Sequence, residues 1–88
     1  MNLYIGNLPR DMDEEELIEM FVEYGEVKTV KVIRDHHTNI SRGYAFIEMK
    51  DEDAALKAIE DWDQGLIDDR IIRVCIAHSS QKKRAALH

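Results

Sequence analysis

The chain of 88 residues has one cysteine, one proline and four glycines, and no apolar run approaching the roughly 18 residues that a membrane span needs. The lone Cys75 excludes an internal disulfide, and neither a paired-cysteine zinc spacing nor a CxxC redox pair is present. No charged start followed by an apolar stretch suggests a signal peptide, so a cytoplasmic protein without membrane contact is expected. No glycine loop is built to cradle phosphate, and no Ser or Cys has a base placed beside it, so neither catalysis nor a cofactor is expected. What remains is one small domain that must stand on the packing of one core.

Charge is not scarce, but one sign dominates. The formal net charge is −6, which argues against a polyanionic partner unless the acids are kept away from the working surface. They are unevenly spread. Eight of the 18 acids lie between Asp11 and Glu26, whereas Val27 to Arg34 holds Lys28, Lys31 and Arg34 and no acid. A negative total is compatible with a positive face if the acids ride on helices turned away from it.

The periodicity of apolar residues predicts the element order. Residues 2–8 place Leu3 and Ile5 on one side and Tyr4 on the other, a strand that stops at Pro9. Asp13, followed by Glu16, has the form of a helix cap, and Leu17, Phe21 and Tyr24 then share a face, giving a helix over about 14–23. Val27, Val30 and Val32 mark a second strand, the polar segment 35–41 a loop, and Tyr44 to Met49 a third strand. Asp51 caps a second helix over about 52–62, with Ala55, Ile59 and Trp62 on its apolar face. A last strand over about 70–77 alternates Ile72, Val74 and Ile76 against Ile71, Arg73 and Cys75. The order βαββαβ implies an α+β, ferredoxin-like sandwich: a four-stranded antiparallel sheet with two helices on one face. The domain occupies residues 1–78, and residues 79–88, with Lys82, Lys83 and Arg84, form a mobile basic tail.

Strand parity then decides what the bare sheet face carries. With Leu3 and Ile5 inward Tyr4 points outward, and with Ala45 and Ile47 inward Tyr44 and Phe46 point outward beside it. A solvated sheet face is normally polar, so three rings there are expected to serve binding. One outward Tyr would be ordinary strand propensity; three on adjacent strands, flanked by Lys31, Arg42 and Arg73, are not. Rings with cations around them suit single-stranded nucleic acid, whose bases stack while Lys and Arg track phosphates.

Two segments carry a resemblance. Leu3-Tyr4-Ile5-Gly6-Asn7-Leu8 resembles the hexamer motif of the RNA recognition motif family, and Arg42-Gly43-Tyr44-Ala45-Phe46-Ile47-Glu48-Met49 resembles its octamer. The likeness extends over about residues 2–77. It implies that Tyr4 and Tyr44 stack on bases, Phe46 packs against sugars, Arg42 pairs with a phosphate, and Asn7 ties the end of the first strand. Met49 departs from the pattern, standing where the octamer usually ends in an aromatic; that position should point away from RNA. A stand-alone domain of this size resembles the small single-domain RNA-binding proteins of bacteria more than a fragment of a multi-domain splicing factor, with an excised domain left open.

The remaining residues with chemistry read more plainly. His36 and His37 are solvated loop residues without the partners that a metal site requires. His78 at the sheet exit is a further candidate for RNA contact, and Trp62 belongs to the core. The expected partner is single-stranded RNA, with single-stranded DNA left open, bound by a monomer at two to four nucleotides. Some domains of this fold instead grip a peptide with an acidic first helix, so Glu14, Glu15, Glu16, Glu19 and Glu23 mark an alternative surface for a protein partner. Those relatives lack the ring motifs and carry an Arg-x-Phe loop, where this chain reads Arg70-Ile71-Ile72.

Overall fold

The computed structural model describes residues 1–77, so His78 and the basic tail of 79–88 lie outside the described residues. Strand β1 (Asn2–Gly6) buries Leu3 and Ile5 completely and leaves Tyr4 partly exposed, the alternation of a strand with one face in a core. Helix α1 (Glu14–Phe21) opens on a full capping box: Glu16 N–H donates to Asp13 Oδ1 at 3.0 Å, and Asp13 N–H donates to Glu16 Oε1 at 3.1 Å. It stops two residues short of the expected end. Val22 N–H still reaches Ile18 O, but Tyr24 N–H turns to Phe21 O, a tighter last turn that releases the chain into β2 (Val27–Arg34).

Strand β3 (Ser41–Met49) starts three residues earlier than the sequence pattern suggests. The loop before it closes tightly, with Asn39 N–H on Asp35 O at 2.7 Å and Asp35 N–H on Ile40 O at 2.9 Å, which sets Arg34 opposite Ser41. Helix α2 (Glu52–Trp62), capped by Asp51, packs through Ala54, Ala55 and Ala58. The larger Ile59 and Trp62, expected at the core, are only partly buried against it; the small side chains take the deepest positions and let the helix lie close to the sheet.

The last expected strand is divided. Arg70–Ile71 forms β5 and pairs with β4 (Leu66–Ile67) in a separate hairpin turned by Asp68 and Asp69, both at positive φ. Only β6 (Arg73–Ile76) joins the main sheet. The break falls at Ile72, whose side chain is fully buried and whose backbone bonds to Gly65 and Gln64 rather than to β1. The main sheet runs β2-β3-β1-β6, every neighbouring pair antiparallel. Leu17 and Phe21 of α1 and the alanines of α2 meet Leu3, Ile5, Ala45, Ile47, Met49 and Val74 in one core, so both helices cover the same face in the ferredoxin-like arrangement.

One ion pair ties α1 to the edge strand. Arg34 Nη1 donates to Glu14 Oε2 at 2.7 Å and Nη2 to Oε1 at 2.9 Å, while Val32 N–H adds a third bond to Oε2. The Arg34 hydrogen bonds, reinforced by backbone N–H groups and opposed by partial burial, hold the Glu14 carboxyl at about 2, down from 4.5. A carboxyl depressed by folding contributes stability above its unfolded value and loses it as the pH falls through the folded one, here from about 4.5 towards 2. Both side chains remain about a third exposed, which screens the gain. Glu14→Gln should therefore lower the unfolding free energy by about 1 to 2 kcal/mol at pH 7. In urea melts, variant and wild type should converge as the pH nears 2; equal stability at pH 7 would show that the pair contributes nothing.

Candidate nucleic-acid interface

Register sets out the bare face in rows. Lys31 of β2 stands opposite Phe46 of β3, Phe46 opposite Tyr4 of β1, and Tyr4 opposite Cys75 of β6. In the adjoining row Gly6 stands between Tyr44 and Arg73. A Cβ at Gly6 would lie 2.6 Å from Tyr4 Oη, because the Tyr4 ring leans along its own strand into the space the glycine leaves. That lean brings three rings together: centroids are 5.7 Å apart for Tyr4 and Phe46, 5.9 Å for Tyr4 and Tyr44, and 6.3 Å for Tyr44 and Phe46. These are contact distances for tilted and edge-on aromatic pairs, yet Phe46 keeps 36% of its surface open.

The cations around the rings are not equivalent. Lys31 and Arg42 are exposed and form no ion pair among the described residues. Arg73 is exposed as well, but its Nε lies 3.6 Å from Asp63 Oδ1, an oxygen that also accepts Val74 N–H at 2.9 Å. Its charge is thus partly offset. The sequence reading also overlooked Glu48, which shares the strand parity of Tyr44 and Phe46, lies opposite Asn2, and holds Lys28 at 3.7 Å. Counting every even position of β3 would have found it.

Asn7 is placed as a tie. At φ +62 its Nδ2 donates to Ile71 O at 2.8 Å, while Arg70 donates to the Asn7 carbonyl at 3.2 Å and to Oδ1 at 3.0 Å. The exit of β1 is thereby fastened to the β4–β5 hairpin. Nothing in the spacing of Asn7 and Arg70 announces this, since 63 residues separate them. Met49 is fully buried beneath the sheet, away from the rings. His36 and His37 stack with centroids 4.3 Å apart, and among the described residues no group of three His, Cys, Asp or Glu is placed to hold a metal. Cys75 is exposed and unpaired.

Arg10 is the other residue that the sequence reading missed. Leu8 N–H donates to Gly43 O at 2.8 Å and Met12 N–H to Pro9 O at 3.2 Å, so a short turn holds Arg10 beside the start of β3. Gly43, at φ +89, adopts a backbone that side-chain-bearing residues avoid. There Arg10, Asp35, Thr38, Ile40, Ser41 and Arg42 line a cleft of about 320 Å³.

Comparison with known proteins agrees with this geometry. The family model described as the RNA recognition motif matches residues 3–73. Over 74 residues the chain is 40% identical to the U11/U12 small nuclear ribonucleoprotein 35 kDa protein of Xenopus laevis, covering 84% of this chain and 27% of that protein. The chain likewise spans 35% of the 28 kDa chloroplastic ribonucleoprotein of Spinacia oleracea, at 36% identity and 92% coverage of this chain. Among solved structures, the RNA binding protein PG1 superposes with a TM-score of 0.85 at 40% identity, covering 88% of this chain and 93% of that one. The Rna15 RRM with bound RNA (GU) superposes at 0.81 and 25% identity, covering 99% and 97%. With its two motifs in register on adjacent strands and the family model matching most of its length, the chain belongs to the RNA recognition motif family.

Proposed function

We propose that the chain binds short single-stranded RNA on the bare sheet face, with Tyr4 and Tyr44 stacking on two bases and Phe46 packing against the sugar between them. The observation that carries this reading is the cluster of three mutually touching rings on a face that no helix covers. Stacking contributes about 1 to 3 kcal/mol per base, so two or three bases give about 2 to 9 kcal/mol before ordering costs. With a net charge of −6 the electrostatic share is small, so affinity over two to four nucleotides is modest, reaching micromolar only at the upper end of that stacking range. Lys31, Arg42 and Arg73 track phosphates, Arg73 least because Asp63 already holds it. His78, outside the described residues, is a further RNA contact on this reading, and a single copy suffices. Stacking tolerates any base and either sugar, so single-stranded DNA belongs in the same titration as a competitor. The setting we propose is post-transcriptional regulation in the cytoplasm.

The acidic helix face supports a second surface on the same domain. Met12, Met20 and Trp62 line a groove of about 330 Å³ walled by Glu16, Glu19 and Glu23, and the buried Trp62 Nε1 has no acceptor among the described residues. The occupant that fits is a Lys- or Arg-rich peptide with one apolar anchor set against Met12, Met20 and Trp62.

Backbone amide shifts during titration with a short randomised RNA pool check the main reading. Movement should concentrate in residues 3–7, 42–48 and 71–76. Tyr44→Ala should weaken binding about tenfold or more with the fold intact. No movement on the sheet of a folded wild type would overturn the reading. Gly6→Ala should leave thermal stability nearly unchanged, because the Tyr4 ring can swing away, while weakening RNA several-fold and altering the Tyr4 to Tyr44 nuclear Overhauser contacts. Unchanged contacts and affinity would show that the glycine does not place the ring.

A further inference from the structure

The described part of the chain has five arginines, and three have partners: Arg34 is held by Glu14, Arg70 by Asn7 and Arg73 by Asp63. The other two, Arg10 and Arg42, form no ion pair among the described residues, and both line the cleft at the start of β3. Arg42 is attracted by the Asp35 carboxylate without an ion-pair contact, and two guanidinium groups lining one concavity gain from an anion that both can reach. We propose that Arg10 contacts RNA phosphate, closing with Arg42 a clamp on the internal phosphodiester next to the nucleotide stacked on Tyr44. The clamp rests on the reading of the ring face; Arg42's part is implied by the family resemblance, and Arg10's is new.

The placement follows from the backbone. Arg42 lies two residues before Tyr44 in β3, exposed, across the irregularity at Gly43 where the pairing with β2 shifts. Arg10 reaches the same place because its turn is fixed at both ends, by buried Leu8 through the Gly43 carbonyl and by buried Met12 through the Pro9 carbonyl. Ser41, 4% exposed, adds a donor: its Oγ accepts Gly43 N–H at 3.0 Å, which leaves the hydroxyl hydrogen free of any acceptor among the described residues. The one acid in the cleft, Asp35, is held ionised first by loop N–H groups and also by the charge of Arg42, which it partly offsets. Its Oδ1 accepts His37 N–H at 2.8 Å and Thr38 N–H at 3.1 Å, and the cleft keeps a balance of two positive charges to one negative.

The test is fluorescence anisotropy over a range of KCl concentrations with a short RNA carrying 5′- and 3′-hydroxyl ends. Arg10→Gln should weaken binding about two- to fivefold, as for an exposed ion pair. It should also reduce the slope of log affinity against log salt by about 0.7, the value for one phosphate on a single strand. Arg10→Lys should restore most of the slope. Asp35→Asn, which keeps the turn acceptor and removes the charge, should tighten binding, so the clamp is also probed by a gain that misfolding would not produce. Unchanged affinity and slope in Arg10→Gln, alongside lost binding in Tyr44→Ala, would overturn the clamp and leave the ring face standing. Absence of RNA binding by the wild type would overturn both. An Arg10 effect seen only with 5′-phosphorylated RNA, or abolished by millimolar inorganic phosphate, would mark a terminal-phosphate site and overturn the internal assignment.

Discussion

Alternation along a strand allows each residue only one face, and in this sheet the two faces have opposite tasks. Leu3, Ile5, Ala45 and Ile47 must be covered by the helices, and Tyr4, Tyr44 and Phe46 are then forced to the other side. A one-residue slip of β1 against β3 would expose the aliphatic set and bury the rings, so the core that stabilises the domain also enforces the orientation of the binding face. The direct pairing of Tyr4 with Phe46, and of Gly6 with Tyr44, follows from the same register. Function and stability thus share one constraint, and neither set of residues could be rearranged alone.

The acidity of the chain is handled by position. Glu14, Glu15 and Glu16 fill the first turn of α1, where the helix dipole and the cap favour them, and Glu14 is further engaged by Arg34 on the edge strand. Glu26 lies 3.8 Å from Lys50, and Glu60 and Asp61 lie beside Lys57 along α2. Several basic residues are therefore engaged in pairs away from the rings, and among the described residues Arg10 and Arg42, which form no ion pair, line one cleft at the start of β3. What the ring face offers to a polyanion is a few cations, and on the proposed reading the free energy of binding comes chiefly from stacking.

Much of this was legible in the sequence, because hydrophobic period, helix caps and strand parity are local signals. Asp13 with Glu16, and Leu3 with Ile5, identify their elements without knowledge of the rest of the chain. The parts that were not legible depend on long-range closure. The β4–β5 hairpin has strands of two residues, too short to show alternation, and its Asp68-Asp69 turn reads as loop. Ile71 and Ile72 look like consecutive members of one strand; only the fully buried Ile72 side chain and its backbone bonds to Gln64 and Gly65 reveal the break. The pairing of Arg73 with Asp63, the tie from Arg70 to Asn7 and the arrival of Arg10 beside Arg42 each require the fold to be formed first.

The rings gain from holding one another. Three aromatic side chains exposed separately to water would move among rotamers, and each would have to be ordered when a base arrived. In contact at 5.7 to 6.3 Å they restrict one another beforehand, and the glycine under Tyr4 lets its ring join the group. Part of the ordering cost is then met on folding, which offsets the limited help the chain's charge gives to binding. A domain with a net negative charge needs such preorganisation more than a basic one does, because it has less Coulomb attraction with which to offset disorder in the binding face.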